Sequence, residues 1–268
     1  MNTLVHGNIW VAFTAASFSL IASSYFQQNP FAFFLLFGGT MFLYGFHRQY
    51  KLFVLKQETF QQKELWLKRN RNLSTLLSLF GLGLLMWSFF DLEIWRSRMV
   101  EIGVLAAVIS LFYVVRIGKR NLREVPYSKI LWVTLTYVAF TSLLCFPQLE
   151  KSVLIREVLF YLSLWFIVLS ITLIFDLRDL HVDDKSQKTW PQILGYKKTI
   201  RLAIGLNLMG LIGLAYATGI GIWFASLSIG LSMLGFYFYA KGEEKELLTS
   251  LLFEGLLGVY GWLFYFMY

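Results

Sequence analysis

The chain has 268 residues, 57% of them apolar and 18% aromatic, with only 15% charged. A soluble domain carries about a quarter charged residues spread along its length, so this composition excludes a soluble globular protein and points to an all-α, polytopic membrane protein. The formal net charge of +8 is gathered in short stretches with no interleaved stacking platform, which speaks against nucleic acid as a partner.

Apolar runs long enough to cross roughly 30 Å of hydrocarbon predict spans at 8–26, 30–46, 73–90, 99–115, 130–147, 153–175, 199–218, 221–240 and 247–267, in one domain covering 1–268. The loops after the second, fourth, sixth and eighth spans hold 20 of the 24 Lys and Arg residues, and the opposite loops hold only Arg96, Arg98, Lys151 and Arg156. Cytoplasmic loops attract positive charge. The N-terminus and the even-numbered loops are therefore expected in the cytoplasm and the C-terminus outside, in a bacterial inner membrane or its equivalent.

The first span follows His6 and Asn8 and has neither the basic region nor the small-residue cleavage site of a signal peptide, so it is expected to remain as an anchor. The second contains Gly38 and Gly39, small residues that let helices approach closely in lipid, and ends on Tyr44, His47, Arg48 and Lys51. From Phe31 to Gln57 there is no acidic residue. The mixed-charge stretch 49–71 is expected as a solvated, lipid-facing loop, with an amphipathic interfacial helix anchored by Trp66 as the alternative. The fourth span ends on Tyr113 and the basic run Arg116, Lys119, Arg120 and Arg123. Cys145, the only cysteine, rules out an intrachain disulfide or a thiolate metal cluster. The outer loops are short, which places any active site on the cytoplasmic side.

The sixth span turns abruptly into Asp176-Leu177-Arg178-Asp179-Leu180-His181-Val182-Asp183-Asp184. On a continued helix Asp176, Asp179 and Asp183 would share one face, within about 60° of one another. Like charges on one stripe repel unless a cation sits among them. An oxygen-only set suits Mg²⁺; the alternative is an acidic solvated loop. Downstream, Pro191 is expected to start a helical turn and Gly195 to end it. Glu254, about two turns into the last span, is an ionisable group at membrane depth and hence a candidate for function.

Asp176, Arg178, Asp179, Asp183, Lys188, Thr189, Pro191 and Gly195 together resemble the second Asp-rich motif of the UbiA superfamily of intramembrane prenyltransferases. The superfamily's first Asp-rich motif is absent; its place is held by the basic end of the second span. The resemblance implies about nine transmembrane helices around a central cavity. It further implies transfer of an isoprenyl group from an isoprenyl diphosphate to a membrane-soluble acceptor, a quinone precursor or another lipid. Asp176, Asp179 and Asp183 would be the catalytic residues and would hold Mg²⁺. His47, Arg48, Lys119, Arg120, Arg178 and Lys188 would contact the diphosphate. The missing first motif keeps a second class open: a catalytically silent UbiA-like protein that binds a lipid or quinone, or serves as a subunit of a membrane complex.

Overall fold

The structure is a computed structural model that describes residues 2–26, 32–54, 62–91, 99–115, 122, 125–142, 155–181, 183, 187–240 and 249–268. Among these residues every regular element is helical. The elements are α1 (Asn2–His6), α2 (Ile9–Phe18), α3 (Leu20–Tyr25), α4 (Ala32–Gln49), α5 (Gln62–Arg69), α6 (Arg71–Asp91), α7 (Met99–Val114), α8 (Lys129–Ser142), α9 (Ile155–Arg178), α10 (Trp190–Leu194), α11 (Tyr196–Thr218), α12 (Ile222–Ala240) and α13 (Gly255–Met267). A π turn, Tyr50–Val54, prolongs α4, and another, Ser250–Glu254, leads into α13.

Within the described residues each predicted apolar run overlaps a helix or a broken helix. Three helices, α6, α9 and α11, are long and apolar enough to cross a membrane by length and composition, and four shorter apolar stretches accompany them. The first run breaks at Ser19, where successive hydroxyls bond back to carbonyls of the preceding turn: Ser17 Oγ donates to Phe13 O (2.8 Å) and Ser19 Oγ to Ala16 O (2.6 Å). Such back-bonding bends helices. Between α11 and α12 the chain turns on Gly219, whose φ of 70° is a left-handed conformation that glycine adopts without steric cost.

Helix α9 is the axis of the bundle. Phe160, Leu164, Ile167, Ile171, Leu173 and Ile174 are all buried along it, and it packs against α11 and α8. On α11, Gly210 permits the close approach: a Cβ there would lie 2.8 Å from the Ser163 carbonyl oxygen of α9. The indole of Trp165 donates to Thr134 Oγ1 of α8 (3.0 Å). Helices α4 and α6 meet at Gly38 and Gly81, as the packing reading of Gly38 anticipates, and α13 meets α2 at Gly261.

Large apolar side chains face outward on the peripheral helices, with Trp223 and Phe266 each 76% exposed and Leu76 63%. Apolar surface on this scale has no place in water; it is the surface of an integral membrane protein. Within the mixed-charge stretch 49–71 a helix, α5, does form over part of it, tied down by a Lys51–Glu64 ion pair (3.2 Å) and by Trp66, whose ring lies 6.2 Å from that of His6.

Candidate functional site

The site is built where α9 runs out of apolar sequence. The α-helix stops at Arg178 and tightens into a 3₁₀ turn, Asp179–His181, so Asp183 does not continue the helical stripe of Asp176 and Asp179. The tighter turn rotates each residue by about 120° instead of 100°, and the Asp183 amide donates to the Asp179 carbonyl at 2.9 Å. Asp176 and Asp183, 3% and 7% exposed, converge all the same.

They converge on a cation that does not come from the loop. Lys129, the first residue of α8 and itself buried, places its ammonium 2.8 Å from Asp176 Oδ1 and in contact with Asp183 Oδ2. Two buried carboxylates would repel and would be costly to desolvate; an ammonium between them offsets both costs. Asp176 Oδ2 is buried without a hydrogen-bond partner among the described residues. Asp179 pairs with its neighbour: Arg178 donates Nε to Oδ1 at 2.8 Å and Nη2 to Oδ2 at 3.2 Å. The same guanidinium lies 5.0 Å from the centroid of the Phe175 ring. Among the described residues, no three acidic, His or Cys side chains come together as a ready metal cage.

The loop that closes the site behaves as its sequence anticipates at Pro191 and Gly195. Pro191 lies in the first turn of α10, and Gly195, with φ 73°, ends it. Gln192 binds the loop together: its Oε1 accepts from the Thr189 amide (2.9 Å) and its Nε2 donates to the Asp183 carbonyl (3.3 Å). Gln192→Leu is expected to cost about 1–2 kcal/mol and to raise amide hydrogen exchange across residues 187–195, which mass spectrometry would read. Lys188 is exposed, with its ammonium 5.8 Å from the Tyr127 ring centroid; it points to that ring and not to the carboxylates.

The basic end of α4 is tied to α1 and α7. Arg48 Nη1 donates to the His6 carbonyl at 3.1 Å. His47 hydrogen-bonds the backbone of Ser110 on α7, while its Nε2 is buried without a partner among the described residues. The Tyr44 phenol, one turn before Arg48, lies in the electrostatic field of Glu254, Arg48, Tyr113 and Arg178. The Tyr137 phenol of α8 lies in that of Tyr44 and Glu254. Residues of α4, α7, α8, α9 and the turn into α13 thus lie within one another's electrostatic field. Lys119 and Arg120 lie outside the described residues, as does Asp184.

This arrangement of helices has solved counterparts. A UbiA homolog from Archaeoglobus fulgidus matches over 99% of both chains at 14% identity, with TM-scores of 0.60 for its structure bound to GPP and Mg²⁺, 0.56 for that bound to Cd²⁺ and 0.58 for a third. The chain has the UbiA fold. No protein-family model and no curated protein matches the sequence, so the likeness is carried by three-dimensional arrangement. In this fold, the Asp-rich stretch sits at the end of helix α9.

Two participants escaped the sequence reading. Lys129 was legible only as one more cytoplasmic-loop cation, because 47 residues separate it from Asp176 in the chain. The Pro126-Tyr127 step just before it was the available signal, marking a turn that delivers a basic residue to a helix start. Tyr137 lay hidden in an apolar span among many aromatics.

Proposed function

We propose that this chain is an intramembrane prenyltransferase, one domain over 1–268 with nine spans, its site opening to the cytoplasm. It would transfer an isoprenyl group from an isoprenyl diphosphate to a membrane-soluble acceptor. The observation that carries the reading is the buried Asp176–Lys129–Asp183 group at the end of α9, set in a fold whose solved homolog binds GPP and Mg²⁺.

The residues fit a hard divalent cation. The donors of Asp176, Asp179 and Asp183 are all oxygen, and Asp176 Oδ2 is a buried acceptor with no hydrogen-bond partner among the described residues. Mg²⁺ held there would supply charge neutralisation at the leaving diphosphate. Lys129 holds the two buried acids together. Arg48 and Arg178, within the field of the same phenol, attract the polyanionic head group to this end of the bundle, and further diphosphate contacts would come from His47, Lys119, Arg120 and Lys188. The apolar helices around α9 house the isoprenyl tail and exclude the water that would quench an allylic cation. Aromatic faces stabilise such a cation.

Binding of radiolabelled geranyl diphosphate to the purified protein, with and without Mg²⁺, tests the reading. The wild type is expected to bind only with the metal, and Asp179→Ala to weaken binding at least about tenfold, as loss of a charge-assisted contact does. Absence of donor binding in every condition would remove the prenyl-transfer reading.

One observation favours a second reading, that of a lipid-binding UbiA-like protein without catalysis. The end of α4 carries no acid, and its cations are engaged in holding the fold, Arg48 on the His6 carbonyl and Lys51 on Glu64. In that case the isoprenoid binds but no product forms with any acceptor.

A further inference from the structure

Lys129 begins α8 two residues after a backbone outlier. Tyr127 has φ 65° and Lys188 φ 46°, two of the three non-glycine residues at positive φ among the described residues. For a bulky side chain this left-handed region is a true outlier, and such a conformation persists only where its surroundings over-determine it. Here the two outliers meet. The Tyr127 amide donates to the carbonyl of Gln187, the residue before Lys188, at 3.1 Å, and the Lys188 ammonium lies 5.8 Å from the centroid of the Tyr127 ring. That ring belongs to a residue 51% exposed, and an exposed contact between ring and cation is among the weaker kinds. The backbone bond is therefore the part that holds the turn in place.

That bond closes a circuit around the acids. The Lys129 ammonium meets Asp183; the Asp183 carbonyl accepts from Gln192 Nε2 at 3.3 Å, and Gln192 Oε1 accepts from the amide of Thr189, two residues beyond Gln187, at 2.9 Å. From Gln187 the path returns to Tyr127 and so to Lys129. The turn is also tied to the helix it starts: Ser128 Oγ donates to the Val125 carbonyl at 3.0 Å, and the Ser128 carbonyl accepts from the Trp132 amide at 3.1 Å. A lysine stem has four flexible carbons and does not fix its own ammonium. The circuit supplies the constraint that the side chain lacks.

We propose that Tyr127 is a positioning residue: its left-handed backbone, tethered to the Gln187 carbonyl, aims the first turn of α8 so that the Lys129 ammonium stands between Asp176 and Asp183. Tyr127 acts through Lys129. The positioning does not depend on the prenyl-transfer reading; its consequence for the donor diphosphate does.

The test compares Tyr127→Gly with Tyr127→Val in the full chain, by thermal midpoint and with no donor present. Both variants lose the ring and keep the amide; glycine takes φ 65° freely, whereas a β-branched residue resists it. Tyr127→Gly is expected to stay within about 2 °C of wild type and Tyr127→Val to fall by about 4 °C or more. The same pair is then measured in two further backgrounds, Lys129→Met and the triple change Lys129→Met, Asp176→Asn, Asp183→Asn, either of which suffices. There the gap between the two variants is expected to shrink to less than about half, because a turn with no ammonium to aim can relax. An equal gap with and without Lys129 makes the turn merely structural, and no gap beside Lys129 makes the left-handed backbone irrelevant; either result overturns the proposal. With geranyl diphosphate and Mg²⁺, Tyr127→Val is expected to bind about tenfold more weakly than Tyr127→Gly, as loss of a charge-assisted contact does. Equal donor binding by the two variants overturns the link to the head-group site. No donor binding by wild type, beside an intact midpoint gap, overturns the prenyl-transfer reading and leaves the positioning role standing.

Discussion

Lys129→Met is expected to destabilise the protein by roughly 3–5 kcal/mol, because it strips the compensating charge from two buried carboxylates while leaving both in place. Asp176 and Asp183 are 3% and 7% exposed, too deep for water to replace the ammonium. The loss should appear as a lowered thermal midpoint of the purified protein, together with loss of geranyl diphosphate binding. The triple variant Lys129→Met, Asp176→Asn, Asp183→Asn separates charge from shape: neutral amides need no counter-ion, so stability is expected to return towards wild type while donor binding stays lost. An unchanged midpoint in Lys129→Met would show that the ammonium does not hold the acid pair.

Gly261→Val is expected to prevent assembly of the bundle. A Cβ at this position would lie 1.7 Å from the Ser17 carbonyl oxygen, and a backbone carbonyl inside a helix cannot turn aside as a side chain can. Relief requires α13 to move off α2, which also breaks the Trp262 Nε1 to Ser17 Oγ hydrogen bond (3.1 Å). Overpacking a well-packed interior costs typically 1–3 kcal/mol or more, and a clash with backbone belongs at the upper end. The matched control is Gly39→Ala, where the nearest atom to the new Cβ is the flexible Leu85 Cδ1 at 3.5 Å. That change gains helix propensity of about 0.5–1 kcal/mol with no steric penalty. Size-exclusion profiles should show aggregate for Gly261→Val and a single wild-type-like peak for Gly39→Ala; a normal peak for the former would mean that the α2–α13 contact tolerates separation.

Much of the molecule was readable along the chain because the bilayer enforces a local code. Every apolar run needs its backbone bonded internally, so helical class and the approximate positions of the apolar helices follow from hydropathy alone. The Asp-rich stretch was equally legible: carboxylates, a Thr-x-Pro step and a glycine lie close together in sequence, and the turn chemistry of Pro191 and Gly195 is local. Local composition therefore specifies a helical membrane bundle with a charged stretch at the end of one particular helix. Only the tertiary structure decided which cation meets the acids, since Lys129 reaches Asp176 and Asp183 across the gap between α8 and α9. It also decided that Arg48 of α4 reaches the His6 carbonyl. These are contacts between residues tens to hundreds of positions apart, set by helix rotation and by close approaches such as Gly210 on Ser163 and Gly261 on Ser17. Helix rotation depends on packing against neighbours, and no periodicity within a uniformly apolar helix records it.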